Sequence, residues 1–445
     1  MKKIEEIVTE ELLDETITKF RSRRWFFIRQ EEIISAGILW AYPEEVEDGD
    51  PLIVILSLDT HEGSRYMDLA VTLHQDTKGR FHFTDSIEDG KFPELLERML
   101  KDRGAMEIHN PDEMLKRAIE SRESFKSLKL EQSNSSFLLG SNVIGKFLRT
   151  PSGTDNPDYK IPILIRKYSN FKGVPENLGT IIFHGKEDLC ICVFSSFIKN
   201  YGDYWKYLFD TSRLKDNGDF IIEARMEAES VGKAIADLHI AMGNIQEENY
   251  GKEPFSQSDY ERMKHQDRNL LVEFSRVLAS PYGVLYRDMA PITEKFFTLN
   301  LSKKGEMKQP IHGDLHLGQI LKTDSGPVII DFEGEPMASM EDRISKGSPM
   351  KDLAGLTRSW NYIWHFILGP GELPEKISEE FRNITVRAYE NEFINAGGRL
   401  NQGWEETLSF FETEKAIYEA VYEWNNRPGM LWIPMEFLRR VASRL

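Results

Sequence analysis

The stretch "HGDLHLGQILKTDSGPVIIDFEGEP", residues 312 to 336, sets two acids in a fixed relation to an amide and to a short apolar run. Asp314 lies in a polar segment, and Gln319 follows five residues later. The run "PVII" has the composition of a short buried strand and leads directly to Asp331. The pattern therefore predicts a loop, a short strand and a second acid at the end of that strand.

This arrangement meets the chemical needs of phosphoryl transfer. In that reaction one carboxylate orients the attacking hydroxyl, while a second carboxylate and another oxygen ligand hold magnesium on the phosphates. The spacing of Asp314 and Gln319 is that of the acid and the amide in a kinase catalytic loop. We predict that Asp314 accepts the proton of the acceptor hydroxyl. Hard oxygen ligands for Mg²⁺ are expected from Gln319, Asp331 and Glu333.

Two histidines in the stretch offer an alternative, a zinc site. His312 and His316 are four residues apart, but Gly313 and Asp314 favour a loop there and no third soft ligand is evident. We expect His312 to brace the loop through backbone hydrogen bonds, and we count His316 with the acceptor-binding residues. A further alternative, ordinary loop carboxylates that cap turns, does not account for the combination of "HGD", the amide and "IIDFE".

Length and composition limit the remaining possibilities. A chain of 445 residues is long enough for two or three domains with sizeable cores. Its 73 Asp and Glu exceed its 56 Lys and Arg, and the formal net charge of -17 makes nucleic acid an unexpected partner. No apolar run approaches the roughly 20 residues of a membrane span. The cysteines, Cys190 and Cys192, are expected to be reduced core residues of a soluble cytoplasmic protein without a membrane partner.

The order of predicted elements divides the chain into three parts. A helix near the N-terminus and four strand-type runs predict a small antiparallel α+β cap over residues 1–92. A helical segment over 93–120 and further strand pairs predict a nucleotide-binding sheet over residues 93–200. Long helical periods follow, which predict a mostly helical part with the catalytic loop and acceptor site over residues 201–445.

The middle part contains two candidate phosphate loops. "GSNVIGKF" fits the frame of a Walker loop, but Phe147 stands where a Ser or Thr must hold magnesium, and a strand-like run follows where a helix must begin. We prefer "EQSNSS" (131–136), a polar turn one hairpin before Lys146 that can cover phosphates. "FSSFIKN" (194–200) is expected to be a hinge that reads the adenine. The predicted nucleotide-binding residues are Gln132, Ser133, Asn134, Ser135, Lys146, Phe197 and Ile198.

A helical stretch near the C-terminus, "EKAIYEAVYEWNN" (414–426), has a polar stripe and a separate apolar stripe. A solvated face is the ordinary interpretation of the polar stripe. Two tyrosines beside charged and amide groups are, however, also the mixture that a sugar site needs. The predicted acceptor-binding residues are His316, Lys415, Tyr418, Glu419, Tyr422, Glu423, Asn426, Arg427 and Trp432.

Several of these segments together resemble a known family. "HGDLHLGQIL", "IIDFEGEP", "SPMKDLAGLTRSWNY" and "FETEKAIYEAVYEWNNRPGMLWIP" look like the bacterial maltokinases, within the aminoglycoside-phosphotransferase-like kinases, over residues 120–437. The resemblance implies an α+β, bilobal protein-kinase-like fold with an N-terminal cap and a mostly helical C-lobe. It also implies the residue roles given above, with ATP and Mg²⁺ used to phosphorylate the anomeric hydroxyl of maltose.

The resemblance further implies a place in α-glucan (glycogen) synthesis and a functional link to an enzyme that interconverts trehalose and maltose. One position departs from the family pattern, because Lys160 stands where the family commonly has an acid that partners the phosphate lysine. Asp158 and Glu176 are candidate substitutes, and Pro162 is expected to disturb the start of the local helix. An amino-sugar (glucosamine) kinase is the alternative function. An inactive nucleotide-binding pseudokinase is the alternative of another class, and the retained acids and phosphate lysine argue against it.

Overall fold

A computed structural model describes most of the chain and divides it into two compact units. The first unit comprises Met1–Ile163 and Pro175–Ile198, and the second comprises Leu164–Val174 and Lys199–Leu445. The described residues are 1–23, 25–26, 33–61, 63–101, 104–128, 134–215, 217–280, 289, 292, 296, 306–335 and 340–444.

The N-terminal part of the first unit is built on a four-stranded antiparallel sheet. Its elements are β1 (Lys2–Lys3), α1 (Ile4–Ile7), α2 (Glu10–Phe20), β2 (Ile33–Tyr42), β3 (Glu45–Val46), β4 (Pro51–Thr60), β5 (Gly63–Gln75), β6 (Phe81–Asp85) and α3 (Phe92–Lys101). The sheet has the order β2-β4-β5-β6, and β1 pairs separately with β3. Each of the four predicted strand-type runs contains one strand of this sheet. The Thr9 hydroxyl caps α2 by accepting a hydrogen bond from the backbone N–H of Leu12 at 3.2 Å.

The rest of the first unit is built on a six-stranded antiparallel sheet. Its elements are β7 (Met106–His109), α4 (Glu113–Glu120), β8 (Phe125–Leu128), β9 (Ser135–Leu139), β10 (Val143–Gly153), α5 (Pro157–Tyr168), β11 (Asn177–His184) and β12 (Asp188–Ser196). The sheet has the order β7-β11-β12-β10-β9-β8. The rejected Walker frame spans the β9–β10 hairpin, and its Lys146 lies within the strand β10 rather than at the start of a helix.

The prediction of one helical segment over 93–120 is wrong in its middle. There the edge strand β7 separates α3 from α4 and pairs with β11. The reason is local, because Met106 and Ile108 are buried while the residues after each of them are half-buried, an alternation with the period of a strand. Pro111 then ends the strand segment ahead of the next helix.

Side chains from both sheets of the first unit meet in one buried cluster. It includes Ile53 and Ile55 of β4, Phe92 of α3, and Phe137 and Phe147 of β9 and β10. The predicted border between residues 92 and 93 therefore runs through a shared core, and an independent cap domain stays a prediction.

Helix α5 does not break where expected. Pro162 lies inside it, and the helix continues to Tyr168. The missing N–H of Pro162 removes only one helical hydrogen bond, the one to the residue four positions earlier. The cysteines, Cys190 and Cys192 of β12, are both buried and free, as expected. An irregularity in the register of β11 against β12 separates their pairing positions, and the two thiols pack in different apolar clusters.

The second unit is mostly helical, as predicted for this part of the chain. Its elements are α6 (Tyr204–Leu214), α7 (Asn217–Gly243), β13 (Glu253–Pro254), α8 (Gln257–Ala279), β14 (Met307–Lys308), β15 (Ile320–Thr323), β16 (Gly326–Ile329), α9 (Met340–Ile344), α10 (Pro349–Leu368), α11 (Glu372–Asn395), α12 (Trp404–Asn426) and α13 (Trp432–Ala442). A short hairpin, β15-β16, and the pairing of β13 with β14, which come before and after α8 in the chain, complete it.

Helix α10 lies at the centre of this unit and is buried over most of its length. Its buried residues lie on all sides of the helix and include polar ones such as Asp352 and Arg358. Gly355 permits a close approach, because a Cβ atom there would lie 2.5 Å from the carbonyl oxygen of Leu315. The segment that carries Asp314 therefore packs directly on the α10 backbone. No helix within the described ranges combines the length and the apolar character needed to cross a membrane.

Candidate active site

The segments that carry Asp314 and Asp331 lie directly before and after the β15-β16 hairpin of the second unit. A 3-10 turn, Leu317–Gln319, leads from Asp314 into β15, and Asp331 follows two residues after β16. The Gln319 amide nitrogen Nε2 donates to Asp331 Oδ2 at 3.0 Å. The backbone N–H of Ile330 donates to the Gln319 carbonyl at 3.0 Å. The predicted amide and the second acid are therefore held side by side.

Asp331 has an unusual backbone conformation, with φ at 66°, in the left-handed region that non-glycine residues rarely adopt. Strain of this kind persists where surrounding structure enforces it, and it is common at functional sites. Because β16 ends at Ile329, strand alternation does not govern the direction of Glu333 relative to Asp331. A carboxylate oxygen of Glu333 nevertheless lies within 4.8 Å of one of Asp331. Oxygen donors gathered in this way fit a hard divalent cation such as Mg²⁺.

The two histidines brace the loop. His312 is 1% exposed, and its Nε2 donates to the carbonyl oxygen of Ile330 at 2.9 Å, which confirms the predicted backbone brace. His316 Nδ1 accepts a hydrogen bond from the backbone N–H of Gly318 at 3.0 Å and so begins the 3-10 turn. Burial lowers the pKa of His316. Acceptor binding by His316 stays a prediction.

Asp352 of α10 anchors the loop and was missed by the sequence reasoning. Its carboxylate is 1% exposed and accepts hydrogen bonds from the backbone N–H groups of His312 at 2.7 Å and Gly313 at 2.9 Å. His239 Nε2 lies 3.2 Å from Asp352 Oδ2, and His239 Nδ1 lies 2.9 Å from the Tyr389 hydroxyl. Burial acts to raise the pKa of Asp352, but these hydrogen bonds and the neighbouring histidines lower it. The available signal was an acid directly before the apolar run "LAGL".

Helix α12, the last helix but one, contributes further neighbours of Asp314. Lys415 Nζ is 3.3 Å from Asp314 Oδ1 and 2.7 Å from Glu335 Oε1, and it lies 4.6 Å from the centre of the Tyr418 ring. Burial acts to lower the pKa of Lys415, but the two carboxylates raise it above its usual value. Burial and the charge of Glu335 raise the pKa of Tyr418 to about 12. The structure therefore brings two predicted acceptor residues together with the predicted base.

The remaining aromatic and amide residues of the stripe lie farther along. The Tyr422 ring stacks on that of Tyr418 at 6.5 Å and 17°, and Tyr422 is 37% exposed. Asn426 is exposed, and its amide donates to the Tyr422 carbonyl at 2.9 Å. Trp432 packs edge-on against His365 at 5.3 Å. Their acceptor-binding roles stay predictions.

The charged residues of the stripe are engaged in ion pairs. Glu419 Oε2 accepts from the buried Arg358 guanidinium at 2.7 and 3.0 Å. Glu423 is 1% exposed and is bound by both Arg427 Nη2 at 2.6 Å and Arg427 Nε at 3.0 Å. Since these pairs occupy the carboxylates, acceptor binding by Glu419, Glu423 or Arg427 also stays a prediction.

A cavity of about 340 Å³ opens beside the loop, within the range of small-molecule sites. A second cavity of about 30 Å³, which shares lining residues with the first, is lined by Asp314 and Lys415. Among the side chains that line the first cavity are Asp267, Glu335, Lys351, Glu414 and Tyr418. Its walls are therefore polar and carry both signs of charge.

The predicted phosphate lysine lies in the first unit. Lys146 Nζ is 2.9 Å from Asp158 Oδ2, and the two side chains are 22% and 12% exposed. Of the two substitutes considered for the family's missing acid, the structure selects Asp158 over Glu176. The pair spans β10 and the first turn of α5, two residues before Lys160.

The predicted phosphate turn is described only in part, since Gln132 and Ser133 lie outside the described residues. Asn134 Oδ1 accepts from the backbone N–H of Arg149 at 3.1 Å, and the Ser135 hydroxyl accepts from the Arg149 guanidinium at 2.7 and 2.9 Å. Because these side chains are hydrogen-bonded to Arg149, a phosphate at this turn would be bound by backbone N–H groups.

The predicted hinge follows β12. Phe197 is 37% exposed, and its backbone N–H donates to the Asn142 carbonyl at 2.7 Å. Ile198 is the last residue of the first unit. Adenine recognition by these residues stays a prediction.

Comparison with known proteins finds glucosamine kinases. No family model matches the chain. A glucosamine kinase of Streptacidiphilus jiangxiensis is 21% identical over 243 residues, 54% of this chain and 54% of the relative. The match thus spans about half the length of that relative. A glucosamine kinase of Mycolicibacterium smegmatis is 20% identical over 357 residues, 78% of this chain and 86% of the relative.

Solved structures of glucosamine kinase have the same fold as this chain. One crystal form superposes with a TM-score of 0.68 at 15% identity, over 92% of this chain and 94% of the other. A complex with glucosamine, ADP and inorganic phosphate gives a TM-score of 0.63 at 16% identity, over 90% of this chain and 96% of the other. These likenesses confirm the predicted fold class and give no support to maltose, α-glucan synthesis or a trehalose-linked partner. The chain has the α+β kinase-like fold of the glucosamine kinases.

Proposed function

We propose that the protein is an ATP-dependent sugar kinase whose acceptor is an amino sugar of the glucosamine type. One observation carries the kinase proposal, the loop in which Asp314, Gln319 and Asp331 are gathered and which Asp352 holds by two backbone hydrogen bonds. The likeness to glucosamine kinases in sequence and in fold supports the choice of acceptor. Amino-sugar kinase, the alternative at the sequence level, thereby becomes the preferred function over maltokinase.

In the proposed reaction the acceptor hydroxyl of the sugar forms a bond to the γ-phosphorus of ATP, and the bond from that phosphorus to the ADP oxygen breaks. The hydroxyl proton passes to the carboxylate of Asp314. Lys415 fixes the direction of this carboxylate, since its ammonium lies 3.3 Å from Asp314 Oδ1. The second carboxylate bound by Lys415, Glu335 at 2.7 Å, holds the ammonium in place. Positioning of the base is thus built into the apoprotein.

Residues that could hold the metal and the nucleotide phosphates are described for each unit by itself. Gln319, Asp331 and Glu333 offer the oxygen ligands for Mg²⁺, which when bound neutralises charge on the phosphates. Lys146 would hold phosphate oxygens, and its ion pair with Asp158 keeps the ammonium from adopting other directions. Retention of all these groups supports an active kinase over an inactive nucleotide-binding protein.

Maltose is the second candidate acceptor. The stacked rings of Tyr418 and Tyr422 favour it, because a flat aromatic surface beyond the catalytic loop suits the C–H face of a second sugar ring. A single amino sugar would leave the exposed Tyr422 without a ligand contact.

The test is an ADP-release assay with glucosamine, glucose and maltose, with and without Mg²⁺, followed by identification of the phosphorylated product. We expect Mg²⁺-dependent turnover that is fastest with glucosamine. The control is Asp314→Asn, which keeps the shape of the side chain but cannot accept the proton. If the parent enzyme prefers maltose, maltose replaces glucosamine as the proposed acceptor. If the parent enzyme phosphorylates no sugar, the proposal is refuted.

A further inference from the structure

The cavity beside the catalytic loop contains two acids that the proposed reaction does not use. Asp267 comes from α8 and is 5% exposed, and Glu414 comes from α12, one residue before Lys415. Both line the 340 Å³ cavity together with Gly313 of the catalytic loop. Neither carboxylate has a hydrogen bond or salt bridge to any residue in the described parts of the chain.

The two carboxylates repel each other. Burial and the charge of Glu414 raise the pKa of Asp267 to about 8. Burial also raises the pKa of Glu414. The cation that attracts both is Lys351 of α10, and Lys351 is attracted most strongly to a third acid, Glu335. The acids around this lysine therefore outnumber it.

Other cations at the cavity do not relieve this imbalance. Arg262 lies 3.3 Å from Asp259, and Lys346 lies 2.6 Å from Glu253, so each has a carboxylate partner other than Asp267 and Glu414. Lys415 also attracts Glu414, but its ammonium is bound to Asp314 and Glu335. Arg343 faces the cavity with an acid of the same helix, Asp342. A buried carboxylate without a partner destabilises the fold when it ionises, so a chain that keeps one gains something other than stability.

We propose that Asp267 and Glu414 bind the ammonium group of the amino-sugar acceptor and select it over neutral sugars. The inference rests on the proposed function and names the residues that give it specificity. An ammonium carries three N–H donors and a positive charge, which two carboxylates can accept and neutralise. A hydroxyl in the same place donates one hydrogen bond and carries no positive charge, so it does not compensate the repulsion that arises when both acids are ionised. The pair thus attracts the amino sugar and also rejects its neutral counterpart.

The experiment compares glucosamine with glucose, which differs in the amino group alone, in the parent enzyme and in Asp267→Asn and Glu414→Gln. Loss of one charge-assisted interaction should lower kcat/KM for glucosamine by roughly 10- to 100-fold in each variant. The value for glucose should stay the same or rise, because the repulsion is removed. Asp237→Asn, which removes a half-buried carboxylate of α7 that does not line the cavity, is the matched control and should leave the ratio unchanged.

Calorimetric titration of glucosamine into the same proteins without nucleotide supplies a readout independent of turnover. The affinity should fall with kcat/KM in both variants. Thermal unfolding measured at about pH 8, where the Asp267 carboxyl begins to ionise, should show midpoints at or above the parent value for Asp267→Asn, since a neutral amide replaces it. A parent enzyme without glucosamine activity would refute the proposed function itself. The assignment of the acid pair is refuted if the parent prefers glucosamine but both variants keep the parent's ratio of kcat/KM for glucosamine to kcat/KM for glucose. A variant that loses activity toward both sugars equally keeps that ratio.

Discussion

Replacement of Asp352 by Asn tests how the catalytic loop is held in place. The carboxylate accepts backbone hydrogen bonds from His312 at 2.7 Å and Gly313 at 2.9 Å, and a third contact of 3.2 Å joins it to His239. Oδ2 serves His312 and His239, and Oδ1 serves Gly313. An amide of the same shape keeps one oxygen and places an N–H donor at the other position.

The magnitude follows from these contacts. The better amide orientation keeps the bonds at Oδ2 and loses the bond to Gly313, a charge-assisted hydrogen bond that contributes about 1.5 to 3 kcal/mol. For a unit of this size each kcal/mol lowers the midpoint of thermal unfolding by about 2 to 4 °C, so a decrease of roughly 3 to 12 °C is expected. Because Gly313 directly precedes Asp314, the base moves as well, and a displacement of about 1 Å lowers kcat by roughly 100-fold.

The assay combines thermal unfolding with kcat and both KM values, and it needs a control of similar stability. Thr357→Val on the same helix removes a buried hydroxyl that donates to Glu412 at 2.7 Å and does not contact the catalytic loop. This variant should be destabilised with kcat near the parent value. If Asp352→Asn kept kcat within about threefold of the parent at a temperature where it is folded, the account of loop positioning would be refuted.

The other predictions concern metal, nucleotide and pH. Asp331→Ala should lower kcat by at least about 100-fold through loss of metal-held charge stabilisation, and Mg²⁺ should no longer strengthen ADP-induced protection against thermal unfolding; unchanged Mg²⁺ dependence would exclude the assignment. Lys146→Met should raise the KM for ATP far more than that for the sugar, and Asp158→Asn should do so more weakly; equal effects on both substrates would argue against the pair. The pKa of Asp267 is about 8 in the folded protein, against about 3.9 for an aspartate in the unfolded chain. Between these pH values the folded state holds the extra proton, so the free energy of unfolding should fall as pH rises from about 4 to about 8. Asp267→Asn should flatten this fall in thermal unfolding measured at about pH 6 and about pH 8, and parallel curves would show that another group titrates.

The catalytic loop was predictable because its chemistry is local in sequence. Asp314, Gln319 and Asp331 occur within one loop and one hairpin, so their spacing alone indicated that they meet. Asp352 was not predictable from spacing, since it contacts His312 across 40 positions and lies within a buried helix. Sequence periodicity marks such a position as core, and only the fold reveals that its carboxylate faces backbone N–H groups.

The neighbours of Asp314 on α12 were predictable in part, and their role in acceptor binding stays a prediction. Periodicity placed Lys415 and Tyr418 on one face of α12, and the structure puts both at Asp314. The same face did not reveal that Glu419 is bound by Arg358, because that partner comes from another helix. Asp267 was missed for a similar reason, as nothing in its surroundings on a charged, amphipathic helix distinguishes it from a solvated acid.

Strand alternation and helix periodicity also failed where short elements interrupt a longer pattern. The edge strand Met106–His109 has four residues, too few to stand out between two helices. Pro162 was expected to disturb α5, yet a single lost helical bond is tolerated because the rest of the helix packs. In both cases contacts with the rest of the protein outweigh the structural preference of the local sequence.

The most direct test of the central claim is the formation of a phosphorylated sugar from glucosamine and ATP, followed by phosphorus NMR in the parent enzyme and in Asp314→Asn. The account predicts one new phosphate-ester signal and equimolar ADP with the parent. It also predicts a rate lowered by roughly 100- to 10,000-fold in the variant, which should still bind glucosamine. A folded Asp314→Asn variant with parental turnover, or a parent enzyme that releases inorganic phosphate without a sugar phosphate, would contradict it.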